Sequence, residues 1–242
     1  MAYFKKLKIA LSKKLKERFI AESSLVESYY EDESSEKGKI PFGVAFPQNT
    51  QEVSLITSLC YRYKVPYTVR GLGTGKTGGM LLTKAGIIIS LEQMKSIQID
   101  PINLLAIVEP GAITSHIQEK AQTHGLFYPV DPASLEMCSI GGNIAENAGG
   151  PRAFKYGVTR DFVLGLEVVL PKGEIVVLGG KTRKNVTGYS LKDIMIGSEG
   201  TLGTITKAYL KLLPYPNHRT LIWATFHDFE HALNGMTKAY SS

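Results

Sequence analysis

The stretch Val69-Arg70-Gly71-Leu72-Gly73-Thr74-Gly75-Lys76-Thr77-Gly78-Gly79 limits what this chain can become more than any other. Five of the nine residues from Gly71 to Gly79 are glycine. Glycine loses the most conformational freedom on folding, so such a density is expected where backbone bends sharply or approaches a ligand closely. Consecutive N–H groups in such a loop form a concavity that binds anions. Arg70 and Lys76 add positive charge, and Thr74 and Thr77 add hydroxyls. The stretch therefore reads as a cradle for a phosphate-bearing ligand. The bland alternative is a glycine-rich loop that holds nothing.

Two common phosphate motifs nearly match and fail. A Walker A loop needs glycine five residues before Gly75-Lys76-Thr77, and that position is Arg70. The spacing Gly73-x-Gly75-x-x-Gly78 satisfies a dinucleotide fingerprint, and Glu92 follows the next apolar run, Ile87 to Leu91. A doubly wound unit, however, carries a crossover helix between its first two strands. Only Gly79 to Gly86 is free for one, too few residues for a helix crossing a parallel sheet.

Charge is unevenly placed. Lys5, Lys6, Lys8, Lys13, Lys14, Lys16 and Arg18 face Glu17 alone, so residues 1 to 20 carry the whole formal charge of +6. The remainder is neutral, which argues against a nucleic-acid surface. Phe4, Leu7, Leu11, Leu15 and Phe19 recur at helical spacing and predict an amphipathic helix. It is expected to pack on its own domain with a solvated lysine face; the alternatives are a partner subunit or peripheral contact with an anionic membrane. From Glu22 to Glu36 the charge reverses, as a solvated linker or short helix would. Cys60 and Cys138 are too few for a disulfide framework and suit a reducing compartment. No apolar run is long enough to span a membrane and no signal peptide is visible, so a cytoplasmic location is expected, at most peripheral to the inner membrane face.

Along the chain, Pro41 to Pro47 predicts a short strand, and Asn49 caps a helix with Glu52 as its capping-box partner. Val65 to Val69, Ile87 to Leu91 and Leu104 to Glu109 read as strands, and Thr114 to His124 as a helix. A second bare-backbone region follows: Asp131-Pro132-Ala133-Ser134, then Ser139-Ile140-Gly141-Gly142-Asn143 and on to Asn147, Gly149 and Gly150. Residues 139 to 148 suggest a helix whose N-terminal N–H groups face an anion. Leu164 to Gly180 reads as a hairpin turning at Pro171-Lys172-Gly173, and Leu191 to Ile196 as a helical turn or two. A third small-residue loop, Gly197 to Gly203, enters a strand from Thr204 to Leu213. Leu221 to Phe226 predicts another strand, with a helix after it. His227-Asp228-Phe229-Glu230-His231 spells an inverted zinc-protease motif, but a solvated helix face is the better reading and no metal is expected. The order predicts an α+β fold of two α/β subdomains with the glycine-rich segments meeting between them.

Together these loops resemble the FAD-binding domain of the vanillyl-alcohol-oxidase/PCMH-type flavoproteins, in the branch of glycolate oxidase subunit GlcD and D-lactate dehydrogenase. The residues that carry the resemblance are Arg70 to Gly79, Asp131 to Ser134, Cys138 to Gly150, Lys155-Tyr156-Gly157 and Gly197 to Gly203. It implies noncovalent FAD, since neither glycine-rich segment holds the histidine through which some relatives attach it. It implies that Arg70, Gly71, Gly73, Thr74, Gly75, Gly78 and Gly79 wrap the pyrophosphate. Asp131, Pro132, Ser134, Ser139, Gly141, Gly142 and Asn143 would serve the flavin and ribityl side, and Asn147, Gly149 and Gly150 are implied to bind the cofactor as well. Glu199, Gly200, Gly203 and Ile205 would lie near the adenine.

The resemblance also implies three regions: 1–37 as a basic helix and acidic linker, 38–216 as the FAD-binding domain, and 217–242 as the start of a substrate domain. The implied activity is oxidation of a small 2-hydroxy acid, such as glycolate or D-lactate, to the 2-oxo acid. Residues for the substrate lie in the family's C-terminal domain, so no catalytic residue is assigned here. A separate C-terminal half or other oxidase subunits are the expected partners. The alternative is a truncated, catalytically silent FAD-binding remnant or interaction subunit.

Overall fold

The fold is that of a computed structural model, which describes residues 2–21 and 23–241; Glu22, the first residue of the acidic run, lies outside them. Helix α1 (Ala2–Leu15) buries Leu7, Leu11 and Leu15 completely or nearly so, one turn apart, and rests on the helix over residues 50–63. Its apolar stripe is thus covered by its own chain. Phe19 does not extend that stripe. Lys16 takes a left-handed φ of 55°, which ends the helix, and Phe19 enters strand β1 (Phe19–Ile20).

The acidic run begins with a short helix, α2 (Ser23–Val26), and then lies across the glycine-rich loop. Glu33 N donates to Gly75 O at 3.0 Å, and Arg70 Nη1 donates to Glu31 O at 2.8 Å. After β2 (Val44–Ala45) comes α3 (Thr50–Tyr63), capped by Asn49, whose side chain accepts from Glu52 N at 2.9 Å. The reciprocal half of the expected capping box is missing. Glu52 instead accepts from Gln48 N and pairs with Arg18, tying the helix start to the chain entering β1.

Strands β3 (Tyr67–Arg70) and β4 (Ile87–Ser90) complete a four-stranded sheet of order β1-β2-β4-β3. Here β2, β4 and β3 run parallel. Ile87, Ile88 and Ile89 are fully buried, as a parallel strand covered on both faces requires. The absence of a crossover helix that the sequence predicted holds, and it does not keep β3 and β4 from running parallel. Residues 71–86 suffice to carry the chain back, and the glycine-rich segment is itself the crossover.

The second sheet is antiparallel. Its members are β5 (Ile97–Asp100), β6 (Leu105–Val108), β8 (Val163–Val169), β9 (Ile175–Gly179) and β10 (Thr204–Lys211), in the order β5-β6-β10-β8-β9. Between β6 and β8 the chain forms α4 (Thr114–Gln122), β7 (Leu126–Phe127), α5 (Ile140–Glu146) and α6 (Ala153–Tyr156). Helix α7 (Leu191–Met195) precedes β10, β11 (Leu213–Pro214) pairs with β7, and α8 (Phe229–Ser241) closes the chain. The sheet packs Ala106, Leu166, Val168 and Leu210 against Ile117, Tyr128, Ile140 and Ile144.

The hairpin expected at Leu164 to Gly180 is β8–β9, but its sheet also takes in β5 and β6 from the first half, and β5 is an element the sequence reading missed. Thr50 Oγ1 donates to Glu167 Oε1 at 2.6 Å and Ser54 Oγ to Gly173 O at 2.5 Å, fixing α3 against this hairpin. The strand expected at Leu221 to Phe226 does not form. No strand of the described residues pairs with it, and Leu221, Ile222 and Trp223 are 84–89% exposed. Among the described residues no helix is long and apolar enough to cross a membrane.

Candidate functional site

The glycine-rich crossover leaves the carboxyl end of β3, where Val69 and, beside it, Leu91 after β4 form an apolar floor. This is the edge of a parallel sheet at which ligands characteristically sit. Opposite stand the first turns of α5 and the start of β10. Between them lies a cavity of about 310 Å³, within the range of small-molecule sites.

Of the residues singled out from sequence, Gly71, Gly73, Thr74, Gly75, Gly79, Pro132, Ser134, Ser139, Gly141, Gly142, Asn143, Glu199, Gly200, Gly203 and Ile205 line it. Three segments far apart in sequence therefore line one cavity. Close backbone approach makes this possible. A Cβ on Gly71 would collide with Ser139 Oγ, so only glycine lets β3's outgoing chain touch the cap of α5.

The supply of donors differs sharply between the two glycine-rich segments. Among the described residues, no backbone N–H from Gly71 through Met80 donates to a protein acceptor. Helix α5 is the opposite case. Ile140 N donates to Ala112 O at 2.9 Å, Gly141 N to Pro110 O at 2.8 Å, Gly142 N to Ser139 Oγ at 3.3 Å and Asn143 N to Ser139 O at 3.0 Å. The expectation that this helix offers its N-terminal N–H groups to an anion is overturned, because the chain itself takes them. Asn143, 4% exposed, donates Nδ2 to Thr114 Oγ1 at 2.7 Å, which fixes its amide.

Six of the sequence-derived residues lie outside the cavity wall. Arg70 turns back: besides Glu31 O, its guanidinium contacts Met80 Sδ and stacks 5.4 Å from the Tyr29 ring, and burial holds its pKa below the usual arginine value. Gly78, with a φ of +75°, turns the crossover beside Leu81. Asp131 pairs with Arg152 at 3.2 Å, and a Cβ on Gly150 would strike Asp131 O. Gly149 packs beside Val158 and Ala153. Asn147 ends α5 in the left-handed region at φ 52° and accepts from Arg160 N at 2.9 Å. These six shape the backbone behind the wall.

The wall also holds Val69, Leu72, Lys76, Thr77, Met80, Leu91, Pro110, Ala145, Glu146, Ala148 and Thr204. The parallel register of β3 and β4 would have pointed to Val69 and Leu91. Glu146 gives no signal in a single sequence. It stands at the rim with its carboxyl pushed above the ordinary carboxylate value, first by partial burial and further by Glu199 and Asp32, while a hydrogen bond from Thr77 works against the shift. A Cβ on Gly79 would lie 2.6 Å from Glu199 Oε2 and 3.3 Å from Glu146 Oε1. Carboxylates thus crowd the far end of the loop whose N–H groups invite an anion. Away from the cavity, His231 pairs with Asp228 at 2.8 Å on an exposed helix end.

The FAD binding domain family matches residues 41–179. The chain is 44% identical over 209 residues to "Glycolate oxidase subunit GlcD" of Bacillus subtilis, in an alignment spanning 86% of this chain and 44% of that protein. It is 43% identical over 193 residues to "D-lactate dehydrogenase" of Archaeoglobus fulgidus, spanning 80% of this chain and 43% of that protein. The chain thus spans less than half the length of these relatives. Among solved structures, an alkyldihydroxyacetonephosphate synthase superposes with a TM-score of 0.81 at 22% identity, covering 99% of this chain and 49% of that one. P-cresol methylhydroxylase with substrate bound gives a TM-score of 0.76 at 21% identity, covering 90% and 45%. At such identities the likeness is one of fold.

Proposed function

The chain belongs to the FAD binding domain family, and we propose that it is the cofactor-holding part of an oxidoreductase that oxidises a small 2-hydroxy acid, such as glycolate or D-lactate. One observation supports this reading above the rest: from Gly71 to Met80, a segment of which all but Gly78 lines the cavity, no backbone N–H donates to an acceptor among the described residues. Such a run meets the need of a diphosphate, whose oxygens accept several hydrogen bonds at once.

The rest of the wall fits the same group. Val69, Leu72, Leu91 and Ile205 offer apolar surface to flat rings, and Gly142 leaves open space above its Cα, where a Cβ would meet only Ser139 Oγ at 3.4 Å. FAD, when bound, supplies the two-electron oxidation, and the protein supplies placement and electrostatics. The glycine loop would hold the phosphates, while Asn143, its amide pinned by Thr114, and Ser134 present polar groups from the opposite side of the cavity. None of the five histidines lines the cavity, in keeping with noncovalent attachment.

The same absence favours a second reading, an FAD-binding chain with no turnover of its own. No histidine or arginine in the wall stands ready to take a hydroxy acid's proton or carboxylate. Groups that take the hydroxy acid would then come from outside residues 1–242, for instance from a separate C-terminal half or another subunit. Leu221, Ile222, Trp223 and Phe229, 77–89% exposed, form apolar surface that such a partner would cover.

Titration of the purified protein with FAD, followed by anaerobic addition of glycolate or D-lactate, tests both readings. Binding with loss of the oxidised flavin absorbance, alone or after adding the second half, supports the first. Binding without bleaching under either condition supports the second. A protein that leaves FAD free in solution defeats both.

A further inference from the structure

Thr204 opens β10 and lines the cavity beside Gly203 and Ile205. It is 1% exposed, and its hydroxyl has no hydrogen-bond partner. Two residues on, at the irregularity of the strand, Thr206 is equally buried but satisfied, donating to Glu167 O and Oε1 at 3.3 Å. Across the ladder Thr204 faces Val169, which offers its side chain no acceptor. A buried hydroxyl without a partner costs stability, whereas valine has the same shape, suits a strand and carries no such penalty.

We propose that the Thr204 hydroxyl is a cofactor-positioning group that gains its hydrogen bond from FAD, donating to an acceptor of the cofactor when the cavity is filled. The proposal rests on the FAD reading above and adds to it a side-chain contact that neither glycine-rich segment supplies. Its physical signature is a pair of opposite effects. Replacing the hydroxyl relieves the empty protein of an unpaired polar group and deprives the filled one of a bond.

The test compares wild type, Thr204→Val and Thr204→Ser by FAD titration, monitored through flavin fluorescence, and by thermal unfolding without FAD. The expected result is that Thr204→Val unfolds about 3 °C higher than wild type without FAD, yet binds FAD about tenfold more weakly. Thr204→Ser, which keeps the hydroxyl, is expected to retain wild-type affinity. Equal FAD affinity in wild type and Thr204→Val overturns the proposal while leaving the FAD reading intact. A Thr204→Ser protein that binds as weakly as Thr204→Val also overturns it, since the methyl would then be the feature that matters. Failure of the wild type to bind FAD would instead remove the reading on which the proposal stands.

Discussion

Thr77 donates its hydroxyl to Glu146, at 3.0 Å from Oε1 and 3.3 Å from Oε2, joining the glycine-rich crossover to the last turn of α5 across the cavity rim. The two residues are 69 positions apart in sequence, and the bond links the segment that offers N–H groups to the segment that has spent its own. It also holds a carboxylate where a phosphate would be drawn in. Glu199 stands near it, and Asp32 Oδ2 is buried without a partner.

This crowding makes FAD affinity depend on pH. Partial burial and the neighbouring acids raise the Glu146 pKa in the folded protein. Its favourable contribution to folding is therefore present at low pH and is lost as pH rises from the ordinary carboxylate range through the raised value. A bound diphosphate would raise that value further, so binding takes up a proton and weakens as pH rises from the raised value of the free protein to the still higher one of the complex. Titrations across this interval should show a falling affinity for wild type and a flatter profile for Glu146→Gln, which keeps an acceptor for Thr77. Identical profiles would show that Glu146 does not sense the phosphates.

Gly142→Ala separates packing from binding. The added methyl meets only Ser139 Oγ, at 3.4 Å, and alanine favours a helix over glycine by about 0.5–1 kcal/mol. The variant should melt no lower than wild type, yet bind FAD at least about tenfold more weakly, because the methyl enters the cavity. Gly73→Val is less clean. With a φ of +83° at Gly73 and the Arg70 guanidinium where a Cβ would go, the variant loses backbone conformation and binding together.

Arg70 should affect stability more than recognition. Arg70→Ala removes a charged donor to Glu31 O and a stacking partner of Tyr29, at a cost of about 1.5–3 kcal/mol. Chemical denaturation would measure the loss. Limited proteolysis should then cut within residues 27–37, which the wild-type side chain fastens over the crossover. Resistance equal to wild type would show that other contacts hold that segment.

Leu11→Ala tests whether α1 belongs to the core. Leu11 is fully buried in the cluster shared with α3 and the parallel sheet, and a cavity there should cost about 2–5 kcal/mol by chemical denaturation. A change near zero would mean the helix detaches at little expense.

Much of the fold was legible because period and punctuation are local. The leucine stripe of α1, the Asn49 cap, the triple isoleucine of β4 and the turn at Pro171-Lys172-Gly173 each announce their element. Errors came where pairing decides. β5 is a short strand of alternating character that is visible only beside β6. Leu221 to Phe226 has a strand's composition and lacks a neighbouring strand.

The sequence by itself determined where backbone would be left bare, since glycine has no side chain to cover it. It therefore sufficed to locate the cavity's three walls and, through their resemblance to one family, the cofactor. Which bare segment still had donors to offer was decided only by the tertiary structure. The N–H groups of α5 are consumed by Ala112, Pro110 and Ser139, and Arg70 is drawn away by Glu31 and Tyr29. The physical reason is that a hydrogen bond depends on what lies opposite a donor, and residues distant in sequence are brought opposite one another only when the two sheets close over the glycine-rich crossover.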